Sequence, residues 1–400
     1  MDTSKYLILG GGMVAGYAAK QLVETGLKPR ELTIVSGDSS NPYERPPLSK
    51  GFLAGKDTET SIFINPDDFY RAHDIEIRLN CVVGNVDSAR KSVRLQSGEE
   101  IGFEKLVVAT GARVRTLDIP GSDLRDVYYL RTLEDSKRIR QKAEDAKRAV
   151  VIGGGFIAME VTSVLAQKGI ETTMVLPDDR IWKRFFTAPM SRFFEEYYTA
   201  RGVRFAKNNK VVKLNGPGAV KAAVLQDGQI APCDMVVAGI GVKPVTELLA
   251  ESGIDVADGV VVNEYLETSQ SDIYAAGDVA SYYDVLFDKH RRAEHWDNAV
   301  SQAQHCARIL SGERTPFIHV PYFFSDVFDL SYEFWGDSSG ADEVVERGDL
   351  SSRSFSVWWL RQGKLAAAFT MNRPDEEREA APQLIESREP VSAGTLPGKQ

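Results

Sequence analysis

The chain has 400 residues, too many for one compact core and enough for two or three domains. Apolar residues make up 43% and charged residues 26%, an ordinary globular mix, and the net charge of −9 argues against a surface built to grip nucleic acid or anionic lipid. The three cysteines, Cys81, Cys233 and Cys306, stand far apart, which excludes a disulfide framework and any CxxC zinc or redox site and suits a reducing compartment.

In chain order, the first apolar run, Tyr6–Leu9, flows straight into Gly10-Gly-Gly12. Nothing ahead of it reads as a signal peptide, and no run approaches the ~20 apolar residues of a membrane span. The expectation is a soluble, cytoplasmic chain. Gly10, Gly12 and Ala15 fit G-x-G-x-x-A between a predicted strand and a predicted helix over 12–26. The first glycine allows a tight turn, the second lets backbone approach a pyrophosphate, and the small third residue lets helix and strand pack closely. The helix N-terminus then offers unpaired N–H groups to the phosphates. Gly26 is placed to end that helix, and a strand follows over 31–35. Asp38 stands where an acid binds ribose hydroxyls.

The same device recurs at Gly153, Gly155 and Ala158, with Gly169 ending the helix and a strand over 171–176. Asp178 follows Ala158 by 20 residues. An acid there binds a free 2′-hydroxyl and repels a 2′-phosphate, which favours NADH over NADPH. Each copy closes on an apolar strand ending in small residues, at Thr110-Gly111 and at Gly239-Ile-Gly241. Two dinucleotide folds imply two dinucleotides, and FAD with a nicotinamide cofactor is the economical pair. The His residues show no metal-ligand spacing with Cys or with one another, so no metal is expected.

With these motifs in place, the sequence resembles the FAD-dependent pyridine-nucleotide reductases of the glutathione-reductase fold. The resemblance rests on the N-terminal glycine motif, on Ala109-Thr-Gly-Ala112, and on Thr268-Ser followed by Asp272-Ile-Tyr-Ala-Ala-Gly277-Asp278-Val279. Within that group it is similar to the branch holding monodehydroascorbate reductase, apoptosis-inducing factor and the oxygenase-coupled ferredoxin reductases. Tyr43-Glu-Arg-Pro-Pro-Leu-Ser-Lys50, Tyr129-Leu-Arg131, the 291–298 stretch and Pro321-Tyr-Phe-Phe-Ser-Asp326 carry that likeness, from about residue 5 to about residue 370. The implied fold is α/β: two Rossmann-like dinucleotide-binding domains, for FAD and for NAD, plus a smaller C-terminal α/β domain. The expected domains are 1–112 with 244–312 (FAD), 113–243 (NAD) and 313–400 (cap with a polar tail, partly helical and then frayed). Residues 355–369 read as two strands around a Gln-Gly turn, with Trp358 and Trp359 as packing residues.

The resemblance implies roles. Lys50 sits beside the flavin and pairs with Glu160; a cation there stabilises a reduced, negatively charged flavin. Gly10, Gly12, Ala15, Asp38, Arg45, Thr110, Gly111, Arg131, Gly277, Asp278 and Trp296 contact FAD. Gly153, Gly155, Phe156, Ala158, Asp178 and Gly241 contact NAD, with Phe156 either covering the flavin or packing in the core. His295 reads as structural. The predicted helix over 12–26 and the Tyr43–Lys50 loop hold no cysteine, so electrons leave from the flavin and not through a disulfide.

The implied activity is NADH-dependent reduction of an external one-electron acceptor, a ferredoxin-like iron–sulfur protein in the leading reading. A monodehydroascorbate-type activity on a small radical or quinone is the runner-up. Plant enzymes of that type place an Arg and a Tyr where this chain has Val300 and Phe324, an apolar pair that offers an ascorbyl anion neither charge nor hydroxyl. The basic cluster Lys289, Arg291 and Arg292 is a candidate dock for an acidic partner. A redox-signalling flavoprotein like apoptosis-inducing factor is the alternative of another class; the acidic charge disfavours a nucleic-acid role for it. The third domain of the family mediates dimers or roofs the flavin, which leaves a homodimer open.

Overall fold

A computed structural model describes residues 2–183 and 185–398. Two compact units divide the chain. The first comprises Met1–Glu44, Glu59–Arg113 and Lys243–Tyr322; the second comprises Arg45–Thr58, Val114–Val242 and Phe323–Gln400. Among the described residues no helix is long and apolar enough to cross a membrane.

The first unit is built on five parallel strands in the order Glu76–Arg78, Leu32–Val35, Asp2–Leu9, Glu100–Val108 and Ile273–Ala275. Beside Asp2–Leu9, the nine-residue strand Glu100–Val108 serves two further partners along its length. Its N-terminal half pairs antiparallel with Ser92–Leu95 and its C-terminal half parallel with Ile273–Ala275. The strands are nearly continuous runs of Leu, Ile and Val because the sheet is buried on both faces. The helix Met13–Glu24 buries Met13, Val14, Ala15, Ala18, Ala19 and Leu22, and its small residues let it pack against the helix Trp296–Leu310.

The second unit repeats this plan. Its parallel strands run in the order Arg204–Ala206, Glu171–Val175, Arg148–Ile152, Met235–Ala238 and Val127–Tyr128. The helix Phe156–Gln167 follows the glycine turn as Met13–Glu24 does, at the same length of 12 residues. Both first glycines are left-handed, Gly10 at φ +118° and Gly153 at φ +125°, and a Cβ at either would run into a backbone carbonyl, of Ala109 or of Gly239. Only glycine fits that turn. Each turn is pinned alike: the Gly10 N–H donates to the Val35 carbonyl at 2.8 Å, and that of Gly153 to Val175 at 2.9 Å.

Residues 323–398 belong to the second unit and carry an antiparallel sheet ordered Tyr322–Val327, Leu330–Gly336, Lys364–Met371, Ser354–Arg361, Glu343–Asp349, with the helix Asp375–Ser387 beside it. The hairpin turn is Gln362-Gly363, both left-handed (φ +54° and +69°), the geometry that matches strand twist. Trp358 and Trp359 are buried. The tail corrects the expectation of fraying. After the helix, the Val391 N–H donates to the Gly363 carbonyl at 2.7 Å, Arg347 bonds the Ala393 carbonyl, and Leu396 is buried. One apolar residue and an arginine hold the polar segment down.

Trp358 is the largest fully buried side chain. Its indole N–H donates to Ser356 Oγ at 2.9 Å, and Ser356 donates to the buried Glu377 at 2.6 Å. Trp358→Ala leaves both a cavity and a weakened polar chain. It is expected to lower unfolding stability by about 3–5 kcal/mol, read as a fall in the urea midpoint of the full-length protein; a loss under about 1 kcal/mol would contradict this packing.

Candidate functional site

In the first unit the predicted FAD residues gather at the C-terminal ends of the parallel strands. Gly12 caps the helix Met13–Glu24 with no side-chain hydrogen bond, so the first-turn N–H groups have no side-chain cap. Ala15 is fully buried. Gly277 packs close to Val14, and its N–H donates to the buried Gln302 Oε1 at 2.7 Å. Asp38 is held by its own loop: Oδ1 accepts the N–H groups of Ser39 and Ser40, and Oδ2 accepts the Tyr43 hydroxyl at 2.8 Å. The Thr110 hydroxyl donates to the Val245 carbonyl at 2.7 Å, and the Gly111 carbonyl accepts the Val245 N–H at 3.0 Å.

Trp296 opens the helix Trp296–Leu310, and its indole N–H donates to Glu44 Oε2 at 2.5 Å. The other Glu44 oxygen takes the Tyr17 hydroxyl, also at 2.5 Å. Glu44 and Tyr17 had no part in the sequence reading, although Glu44 lies inside the quoted 43–50 motif. His295 is pushed down to about 4 by burial, against the opposing pull of Asp278 and Asp297. The imidazole is neutral at pH 7, in keeping with a structural role.

The basic cluster is a correction. Arg291 pairs with the buried Asp284 at 2.8 Å, and Arg292 with Asp258 at 3.1 Å and Glu294 at 2.6 Å. These guanidinium groups are neutralised within their own unit and do not form a free basic patch. Sequence proximity placed the three cations together but hid the acidic partners of Arg291 and Arg292.

In the second unit Gly155 caps the helix Phe156–Gln167, again without a side-chain cap, and nothing lies within 4 Å of where its Cβ would stand. That open space in front of uncapped N–H groups fits a phosphate. Ala158 is buried. The segment after the strand Glu171–Val175 lies against the glycine turn, where the Trp182 N–H donates to the Gly154 carbonyl at 3.1 Å. It brings Asp178 out exposed, while its neighbour Asp179 is engaged by Lys183 at 2.9 Å and Arg180 at 3.4 Å. Gly241 is left-handed, and its carbonyl accepts the Arg115 N–H at 2.9 Å. The Arg45 guanidinium donates to the Arg131 carbonyl, which brings those two predicted residues together.

Lys50 and Glu160 meet as expected. Lys50 Nζ lies 2.7 Å from Glu160 Oε1, and Glu160 is only 4% exposed. Ser325 donates to the same oxygen at 2.5 Å, and Ser49 donates to Oε2. The Phe324 ring lies 5.8 Å from Lys50 Nζ. Phe156 is half-buried at the head of the same helix, edge-on to Phe323 at 4.5 Å and near Phe185 and Trp182. Sequence reasoning missed Ser49, Ser325 and Phe323 as site residues, since nothing in their spacing ties them to Glu160.

Residues 4–303 match the model of a family described as pyridine nucleotide-disulphide oxidoreductase. The chain belongs to that family. Residues 322–398 match a second model, described as reductase C-terminal. Monodehydroascorbate reductase 4, peroxisomal, of Arabidopsis thaliana is 36% identical over 407 residues, covering 97% of this chain and 83% of that protein. The monodehydroascorbate reductase of Solanum lycopersicum is 33% identical, covering 98% and 96%. Among solved structures, the ferredoxin reductase for the CYP199A2 system from Rhodopseudomonas palustris superposes at a TM-score of 0.94 with 34% identity, covering 99% of this chain and 97% of that one. The reductase in a covalent putidaredoxin reductase–putidaredoxin complex superposes at 0.94 with 33% identity, covering 100% and 96%. This family member is therefore a flavin-dependent pyridine-nucleotide reductase related to both groups. Its glycine turns and uncapped helix N-termini fit the two dinucleotides such an enzyme uses.

The Arg291–Asp284 pair yields a direct test. Burial pushes the Asp284 carboxyl above its ordinary range, against the pull of Arg291. Arg291→Met strands that buried carboxyl and is expected to cost about 3–5 kcal/mol of stability, measured by chemical denaturation. A neutral result would restore Arg291 to the surface and to candidacy as a docking cation.

Proposed function

We propose that this reductase oxidises NADH and passes the electrons one at a time to a ferredoxin-like iron–sulfur protein. FAD, when bound, supplies the conversion between a two-electron donor and one-electron steps. Gly10, Gly12, Ala15, Asp38, Thr110, Gly111, Gly277, Asp278 and Trp296 hold it, with Arg45 and Arg131 toward its phosphates or ring. Gly153, Gly155, Ala158 and Gly241 hold the nicotinamide dinucleotide. The exposed Asp178 supports NADH, because a carboxylate accepts from a 2′-hydroxyl and repels a 2′-phosphate.

Lys50 provides a positive charge where negative charge develops, and Glu160 holds its ammonium in place. Burial lowers the His295 pKa to about 4, which makes it a weak proton acceptor, and no base is needed to move a hydride. Cys233 and Cys306 are buried with thiols pushed up to about 12 by desolvation, so neither offers a thiolate to relay electrons.

One observation favours the iron–sulfur acceptor over the ascorbyl radical. The ring of Phe324, not a hydroxyl, lies near Lys50 Nζ. Val300 is likewise apolar and buried. A small anion would meet no hydroxyl from either. A protein acceptor brings its own complementary surface and does not depend on those two side chains. The names of the two superposed reductases point the same way, while the plant relatives keep the radical as the competing substrate.

The test is anaerobic mixing of the FAD-loaded protein with NADH or NADPH, followed by a panel of acceptors. Bleaching of the flavin is expected to be at least about tenfold faster with NADH. Reoxidation is expected to be fast with a ferredoxin-type [2Fe–2S] protein and slow with ascorbyl radical. The reverse order of acceptors would make this a monodehydroascorbate-type enzyme despite Phe324. A preference for NADPH would remove Asp178 from its role.

A further inference from the structure

Glu160 is a buried carboxylate, and one cation does not satisfy it. A carboxylate has about four lone-pair sites, and each one left empty in a dry interior is costly. Lys50 takes one, at 2.7 Å from Oε1. Ser325 donates to the same oxygen at 2.5 Å, and Ser49 donates to Oε2. Both serines are buried, Ser325 completely. They come from distant places in the sequence: Ser49 precedes Lys50 in the Pro46–Ser49 turn, and Ser325 lies on the strand Tyr322–Val327. The same strand seats Phe323 on Phe156, and just past its end the Phe328 N–H donates to Ser163 Oγ at 2.6 Å, one helical turn after Glu160.

We propose that Ser49 and Ser325 are positioning residues for the Lys50–Glu160 pair, so that the C-terminal module is part of the redox machinery. This rests on the reading of Lys50 as the flavin-side cation. The two hydroxyls place their hydrogens on the Glu160 oxygens and share its negative charge. The carboxylate is then held at a set distance from Lys50 without cancelling all of the ammonium's field. Without the hydroxyls the charge on the carboxylate is no longer shared with them, so at the same contact distance it offsets more of the Lys50 charge and the environment becomes less favourable for adding electrons.

The experiment uses the full-length, FAD-loaded protein as wild type, Ser325→Ala, Ser49→Ala and the double variant, each with and without Glu160→Gln. Two quantities are read: the midpoint potential of the bound flavin, and the limiting rate of its reduction by NADH apart from the NADH concentration dependence. For the double variant the potential is expected to fall by about 30 mV, a tenfold change in the two-electron equilibrium constant. The limiting rate is expected to fall about tenfold, with half-saturation by NADH little changed, as suits loss of charge-assisted bonds away from the nucleotide. In the Glu160→Gln background the serine changes are expected to add almost nothing, because their effect passes through that carboxylate. If Ser325→Ala fails to fold, Ser49→Ala tests the same claim from the other oxygen. An unchanged or raised potential, or serine effects that persist in full beside Glu160→Gln, would overturn the proposal. Lys50→Ala run in parallel separates the two layers: a silent Lys50 variant defeats the underlying reading, and silent serines beside a slow Lys50 variant defeat only the inference drawn from them.

Discussion

A carboxylate taken out of water has to be met by hydrogen bonds and a cation, and Glu160 imposes that demand on three stretches of chain at once. Its position is set by the helix that follows the second glycine turn, whose close packing needs the small residue Ala158 two places earlier. Its partners are then recruited from residues 49–50 and from residue 325. Removing one partner from such a group costs far more than the net gain of forming the pair, because a buried charge is left unmatched. The segment 45–58 and the C-terminal sheet, which supply those partners, both belong to the compact unit that carries the second dinucleotide motif.

The family description includes disulphide chemistry, while the three cysteines of this chain stand far apart in sequence. No cysteine stands in the first dinucleotide helix or in the 43–50 loop, and two of the three thiols in the chain are deeply buried with raised pKa. What the fold retains is the pair of dinucleotide cradles. In the proposed reading the site works through a charged pair, Lys50 with Glu160, beside an aromatic group of Phe156 with Phe323 and Phe185.

The repeated fold was legible because its turns have stereochemical requirements that few residues meet. Gly10 and Gly153 need a left-handed backbone with no Cβ, and Gly26 and Gly169 end their helices left-handed at +94° and +79°. The Gln362-Gly363 hairpin was legible for the same reason. The Lys50–Glu160 contact came from resemblance, since the two residues are 110 apart and no periodicity links them. Ser325 was beyond reach: it was quoted as part of a motif, but a serine says nothing of its acceptor 165 residues away. Charge was the weakest guide. Arg291 and Arg292 read as a basic patch in one dimension, and only folding brings Asp284 and Asp258 onto them. The polar tail failed in a similar way, because one leucine and the reach of Arg347 decide its course and composition does not show either.

The central claim is that the Lys50–Glu160 pair governs electron entry into the flavin. Its most direct measurement is a double-mutant cycle of Lys50→Ala and Glu160→Gln on the rate at which NADH bleaches the bound FAD, mixed anaerobically. Each single variant is predicted to keep its FAD and to be slower by about 10–100-fold, and the double variant to be no slower than Lys50→Ala alone, as for residues acting as one unit. Wild-type rates in Lys50→Ala, or effects of the two changes that simply multiply, would contradict the account.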